Sequence, residues 1–197
     1  MIVTQIEPYK SRFKIYIDNH FAFLLYKGDL KRLSIEEGTR INDDVYSNIM
    51  EILYNRGRER ALYMLDTSYK TKKYIIDKLK AGFYPEDVID RIIDNLTDID
   101  LINDYRYATI YIDYKSQVKS KKQIQYDLMK KGIDREIIKN AFEDSDFSDL
   151  ESLDRLIIKR KNKYDVSDMA QKSKFMAYLA SKGYSYEDIR NRLDNLT

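Results

Sequence analysis

Three leucines, Leu79, Leu128 and Leu179, stand 49 and 51 residues apart, and the residues around them recur in step. Ile75, Ile124 and Phe175 fall one helical turn ahead of them. Tyr84, Ile133 and Tyr184 follow in register, then Ile89, Ile138 and Ile189, then Ile93, Phe142 and Leu193. A period of this size marks a repeat architecture, whose units are too small to bury an apolar face alone. Each unit reads as a helix that ends at a glycine-containing turn and is followed by another helix. The turns are Lys80-Ala81-Gly82-Phe83, Met129-Lys130-Lys131-Gly132 and Ala180-Ser181-Lys182-Gly183. Glycine enters the left-handed region that closes a helix at little steric cost. Pro85, Asp134 and Ser185 come next, and all three are residue types that open helices. Ser120 followed by Gln123 fits a capping box. Leading helices around Arg60 to Leu65, Asp104 to Tyr114 and Leu150 to Lys161 complete three three-helix repeats.

The last repeat differs from the others. Val88 and Ile92 correspond to Ile137 and Ala141 in the second unit, but to Asp188 and Arg192 in the third. An end repeat lacks a neighbour on one side and needs a polar outer face, so this swap is expected where a row of units stops. Before the repeats, the chain has strand periodicity. Phe13, Ile15 and Ile17 alternate with Lys14 and Tyr16, and Phe21, Phe23 and Leu25 alternate again. Asp18-Asn19-His20 between them supplies the backbone a tight turn requires. Val3 to Ile6 is expected as a third strand and Asp43 to Leu53 as a helix. The expected fold is mainly α, with tandem three-helix repeats and a small β-hairpin-containing N-terminal extension. The domain boundaries read as 1–57 for the extension and 58–101, 102–148 and 149–197 for the repeats.

Composition narrows the chemistry. Hydrophobic residues make up 43% of the 197, enough to pack a core. There is no cysteine, and so no disulfide, thiolate nucleophile or cysteine-based zinc site. That suits a reducing, cytoplasmic setting. The opening residues Met1 to Glu7 lack the basic and apolar segments of a signal peptide, and no apolar run is long enough to span a bilayer. The single histidine, His20, falls in the expected hairpin turn without a positioned partner, and reads as an exposed turn residue. Neither glycine-rich nucleotide-binding pattern occurs. Asp98, Asp100 and Asp104 read as helix-terminal groups satisfying amide donors, and their spacing does not match a calcium loop. The pattern calls for no catalytic group, cofactor or metal.

Net charge is only +2, so contact with nucleic acid must come from local patches. Two basic stretches stand out. Lys115, Lys119, Lys121 and Lys122 open one, with Lys130 and Lys131 at the far end of the same helix. Arg155, Lys159, Arg160, Lys161 and Lys163 form the other. Such cations gain affinity for phosphates by releasing counterions, and they equally suit ordinary solvated helix faces. The acidic run Glu143-Asp144-Ser145-Asp146 beside them indicates a surface with separated charge. Tyr111, Tyr114 and Tyr126 lie near the lysines, where a ring either stacks on a base or packs half-buried.

The repeat boundaries carry a family likeness. Ala61-Leu62-Tyr63-Met64-Leu65, Lys70-Thr71 and Leu79 with its glycine turn resemble the first repeat of the RecX family. Leu101-Ile102-Asn103-Asp104-Tyr105-Arg106-Tyr107-Ala108 is similar to the family's entry to its second repeat. Ser120 to Ile124 and Leu128 to Ile133 resemble its basic helix and turn, and Tyr178 to Ser185 its closing repeat. Ile15 to Leu25 is similar to the N-terminal extension of the Gram-positive branch. The chain departs from the pattern at Tyr74, where an acidic residue is usual, and at Lys70, where arginine is usual. Gly82 comes one position early, with Phe83 in the usual glycine slot. The resemblance implies an elongated crescent and a monomer. Its implied partners are RecA and the RecA–single-stranded DNA filament, bound in the filament groove. It implies inhibition of strand exchange, ATP hydrolysis and coprotease activity in the SOS response and recombinational DNA repair. The residues by themselves leave open a generic helical scaffold for another partner, or a protein that contacts DNA directly.

Overall fold

The computed structural model describes residues 1–195. Three strands, β1 (Val3–Tyr9), β2 (Arg12–Ile17) and β3 (His20–Leu25), form an antiparallel meander. Asp18 and Asn19 both take positive φ, 48° and 68°, and make the two-residue turn between β2 and β3. His20 is the first residue of β3 and pairs with Ile17, so the turn is one residue shorter than expected. Helices follow: α1 (Lys27–Arg32), α2 (Asp43–Thr67), α3 (Lys72–Lys80) and α4 (Glu86–Asp98). Then come α5 (Asp104–Lys115), α6 (Lys121–Lys130), α7 (Arg135–Glu143), α8 (Asp149–Arg160), α9 (Met169–Ser181) and α10 (Tyr186–Asp194). A single 3-10 turn, Lys161–Lys163, continues α8. The fold is mostly helical with a small N-terminal sheet.

The helix starts follow from local chemistry. Asn42, Thr71, Asn103, Ser120, Ser148, Asp168 and Ser185 each accept a backbone amide from three residues ahead, and Asp134 from two ahead. Pro85 opens α4 without such a bond. The register read from the leucines holds. Ile75, Leu79, Ile124, Leu128, Phe175 and Leu179 are buried on α3, α6 and α9. Ile89, Ile93, Ile138, Phe142, Ile189 and Leu193 are buried on α4, α7 and α10.

The chain divides into two compact units, Met1–Ile102 and the remainder from Asn103. In the first, sheet and helices share one core that runs from Val3, Ile15 and Phe23 through Ile49 and Leu53 to Ile75, Leu79 and Ile92. Helix α2 passes straight through residue 57, where the sequence places the end of the extension. Its buried stripe, Ile49, Leu53, Gly57 and Ala61, steps by four residues and shrinks toward α4. A Cβ at Gly57 would lie 2.5 Å from Ile92 Cδ1, so the glycine admits α4 rather than ending α2. The second unit holds two cores, one on α5, α6 and α7, the other on α8, α9 and α10.

Ile92 lies over α2, the leading helix of its own repeat. In the third repeat the matching residue, Arg192, pairs with Asp154 of α8 at 3.1 Å. At Arg192 the polar swap therefore replaces an apolar contact inside the unit by an ion pair.

Candidate functional site

Ser120 and Ser152 are fully buried, and their hydroxyls tie the second repeat to the third. Ser120 Oγ donates to the Lys182 carbonyl at 2.6 Å while accepting the Gln123 amide at 3.3 Å. Ser152 Oγ donates to the Lys119 carbonyl at 2.9 Å and lies 2.7 Å from the Tyr184 hydroxyl. The Lys121 amide donates to the Asp149 carboxylate at 2.8 Å. The seam leaves no room for a side chain at Gly183, whose Cβ would meet Ser120 Oγ at 2.8 Å and whose φ is +91°. The start of α6, the first turn of α8 and the end of α9 are thus held against one another.

Along this seam lies a cleft of about 280 Å³. Helix α8 turns Leu153 and Ile157 into the core, which leaves Arg155, Leu156, Lys159 and Arg160 as a face spaced one turn apart. Lys119 and Gln123 form a second wall, and Tyr178 and Lys182, again one turn apart, a third. Five cations line the cleft and no carboxylate does. Lys119 is neutralised by Asp127, which also accepts the Tyr111 hydroxyl at 2.9 Å. Burial pushes the Asp127 carboxyl up, but Lys119 and Tyr111 outweigh it and hold it below its ordinary value. The bond to Asp127 raises the Lys119 ammonium correspondingly. Arg155 pairs with Glu151 at 2.9 Å across one helical turn. Among the described residues no carboxylate pairs with Lys159, Arg160 or Lys182. Arg160 and Lys182 instead sit 5.8 and 5.4 Å from the centre of the Tyr178 ring. The Nε–H of Arg160 is buried with no hydrogen-bond partner.

A second cleft of about 390 Å³ adjoins the first and shares Gln117 and Arg155 with it. Asp113, Asp144, Asp146 and Glu151 line it. Opposite charges are separated, as the acidic run implies, but at two neighbouring clefts of one unit.

The cations singled out in sequence are not gathered in one place. Lys121 and Lys130, nine residues apart, face opposite ways on a helix of about 3.6 residues per turn, and so do Lys122 and Lys131. Lys121 Nζ lies 5.1 Å from the Phe142 ring on α7, whereas Lys131 reaches Tyr107 and Tyr111 on α5 at 5.7 and 5.6 Å. Lys130 covers Tyr126 at 4.5 Å. Lys161 and Lys163 are exposed in the 3-10 turn. Only Arg155, Lys159 and Arg160 of that set enter the cleft. Lys119 stood among the residues noted around α6, and Lys182 was read only as part of a glycine turn. Nothing in the local sequence links Lys182 to Arg160; the serine seam does. Of the aromatics, Tyr111 is half-buried and bonded, while Tyr114 and Tyr126 are exposed. His20 Nδ1 lies 2.8 Å from the Asp18 carbonyl inside its own turn. Among the described residues, no group of three or more histidine or acidic side chains is placed to hold a metal.

Such an arrangement defines a tandem three-helix-repeat protein whose most distinctive surface is electrostatic. The family model described as "RecX, second three-helix domain" matches residues 103–141, and "RecX, third three-helix domain" matches residues 148–191. The Regulatory protein RecX of Finegoldia magna is 33% identical, over 95% of this chain and 96% of its own. That of Clostridium acetobutylicum is 31% identical over 95% and 92%. A crystal structure of RecX from Lactobacillus salivarius has a TM-score of 0.66 at 33% identity, covering 74% of this chain and 97% of that one. A further crystal structure of a regulatory protein RecX shares the fold with a TM-score of 0.67 over 98% of both chains. The chain belongs to the RecX family of regulatory proteins.

Proposed function

We propose that this chain regulates a RecA-type recombinase by lodging in the groove of its filament on single-stranded DNA, without catalysis of its own. The reading is carried by the end-to-end likeness to regulatory RecX proteins, 33% over 95% of the chain. The separated charge of the second unit supports it. Cationic and acidic clefts side by side suit a groove that presents both DNA phosphates and protein side chains, since complementary potential sets register and steers encounter. Occupancy that blocks or bridges successive subunits limits ATP hydrolysis and strand exchange with no reacting group. We place the chain in the cytoplasm, where filament and DNA meet, and as a monomer.

The test is recombinase ATP hydrolysis on single-stranded DNA, titrated with the purified chain. Hydrolysis is expected to fall, with the chain sedimenting with the filament. Unchanged hydrolysis and no co-sedimentation across a concentration range that saturates the filament would sink the reading.

A further inference from the structure

We infer that Arg12, Arg60 and Tyr84, gathered at Gly82 in the first unit, form a site for a phosphate monoester: the doubly charged phosphate of a small nucleotide, or inorganic phosphate itself. This goes beyond the regulator reading and does not rest on it.

The first observation is a glycine that the backbone does not require. Gly82 follows α3 with a φ outside the left-handed region; the residue that turns left-handed there is Phe83, at 64°. What demands a glycine is crowding. A Cβ at residue 82 would lie 2.9 Å from Arg60 Nη1 and 2.9 Å from Cε2 of the Tyr84 ring. Arg12 Nη1 meanwhile reaches the Gly82 carbonyl at 3.4 Å. Side chains from β2, from α2 and from the turn after α3 thus close on one buried glycine. Their convergence accounts for a glycine that comes one position early against the other two repeats.

Charge comes second. Arg56 and Arg60 stand one turn apart on α2, but only the first is neutralised: Arg56 holds Asp29 at 2.5 Å and covers the Tyr26 ring at 4.9 Å. Among the described residues no carboxylate pairs with Arg12 or Arg60. Arg60 donates to the Tyr84 oxygen. Burial pushes the Tyr84 hydroxyl above its ordinary value, so it keeps its proton at neutral pH and remains a donor. Two guanidiniums brought to one glycine repel each other, and an anion that bridges them removes that cost. A carboxylate or a phosphodiester brings one negative charge and leaves one guanidinium unanswered. A phosphate monoester brings nearly two, with three oxygens to meet two guanidinium forks and a phenol. The turn that carries the site is preformed, because Phe83 is wedged against Tyr9 and Phe21 at 5.5 and 5.7 Å.

The experiment follows the backbone amides of residues 82 to 84 by proton–nitrogen NMR of the full chain. It is run at constant ionic strength and neutral pH, where a monoester is close to doubly charged. The probes are inorganic phosphate, adenosine monophosphate, dimethyl phosphate and acetate. Phosphate and adenosine monophosphate are expected to shift these amides saturably. The two monoanions should bind on the order of tenfold more weakly, the worth of one lost charge-assisted bond. Tighter binding of adenosine monophosphate than of phosphate identifies a nucleotide as the source, and equal binding identifies free phosphate; either result supports the site. The variant carrying Arg12→Gln and Arg60→Gln should lose the response. A charge-matched variant of the second unit, Lys139→Gln with Lys174→Gln, should respond as wild type does. Gly82→Ala, whose methyl group displaces Arg60 and Tyr84, is expected to bind on the order of tenfold more weakly. Arg60→Lys keeps the charge but loses the planar fork, and should bind several-fold more weakly than wild type. It also tests the site if the double variant loses its helical circular dichroism.

Acetate or dimethyl phosphate moving these amides at the concentrations that phosphate does would overturn the inference. So would an arginine double variant that responds as wild type does, or equal losses in the double and charge-matched variants. Phosphate that perturbs only amides of the second unit, with residues 82 to 84 unmoved, would put the anion elsewhere and overturn it too.

Discussion

At the turn after α3, the residue with positive φ is Phe83, at 64°, whereas the matching turns use Gly132 and Gly183 at 83° and 91°. A left-handed conformation costs a non-glycine residue roughly 1–2 kcal/mol. The aromatic contacts offset it: Phe83 meets Tyr9 and Phe21 edge-on at 5.5 and 5.7 Å, and so joins the end of α3 to the sheet. Two such pairs contribute about 0.5–1.5 kcal/mol each beyond the area they bury. Phe83→Gly is therefore expected to destabilise the first unit by about 1 kcal/mol, even though it relieves the backbone; a higher urea midpoint for the variant would show strain outweighing packing. Asp29 poses a different balance. It is 4% exposed, accepts the Tyr26 amide at 3.0 Å and holds both terminal nitrogens of Arg56, at 2.5 and 2.8 Å. Burial pushes its carboxyl up, but Arg56 and the Tyr26 amide outweigh burial and hold it below the ordinary value. A carboxyl lowered by folding stabilises the native state above the ordinary carboxylate range, and that contribution fades as pH falls through the folded value. Asp29→Asn should cost about 2–3 kcal/mol at neutral pH, the worth of charge-assisted bonds to an arginine that remains one third exposed. The deficit should narrow as the pH falls below the ordinary carboxylate range toward the lowered value at which folded Asp29 itself takes up a proton. A deficit that stays constant down to acid would refute this account.

Helix-level periodicity was readable to the residue. Leu79→Ala, Leu128→Ala and Leu179→Ala truncate side chains with no exposed surface and should each cost roughly 2–5 kcal/mol. Urea midpoints that barely move for any of the three would contradict the register. The seam between α6, α8 and α9 rests instead on two small hydroxyls. Ser120→Ala removes a helix cap and strands the Lys182 carbonyl, and should cost about 1–2 kcal/mol. If it left stability unchanged, the seam would have to be held by packing and by the Ser152 and Asp149 bonds without it. The lysines of α6 show where element-level reasoning failed. Their closeness along the chain suggests one basic side, but nine residues is two and a half turns, so the helix itself parts Lys121 from Lys130.

Over the whole chain, cores rather than repeats set the divisions. The sheet has too few residues to bury a face alone, and it shares its core with α2, α3 and α4. Residues from Asn103 onward carry two cores of their own. A fragment starting at Asn103 is accordingly expected to keep helical circular dichroism and to unfold cooperatively. A fragment ending at Gly57, which cuts α2 and takes away Ile75, Leu79 and Ile92, should fail to fold. If the shorter fragment folded and the longer did not, the division at Ile102 would be wrong.

The sequence by itself determined the repeat, the buried stripe of every second and third helix, the opening residues Ser120, Asp134 and Ser185, the presence of a hairpin turn after β2, and the family. Each of these is set by spacing along the chain or by the chemistry of a few neighbours, which a linear sequence displays. Only tertiary structure decided that Gly57 admits a helix instead of ending one, because its partner Ile92 is 35 residues away. It alone decided that Arg192 is answered by Asp154, and which five cations share a cleft. Lys119, Arg160 and Lys182 come from three separate segments, brought together by hydroxyl bonds spanning 33 and 62 residues. Side-chain electrostatics acts through space, and the chain's own order carries no record of those distances.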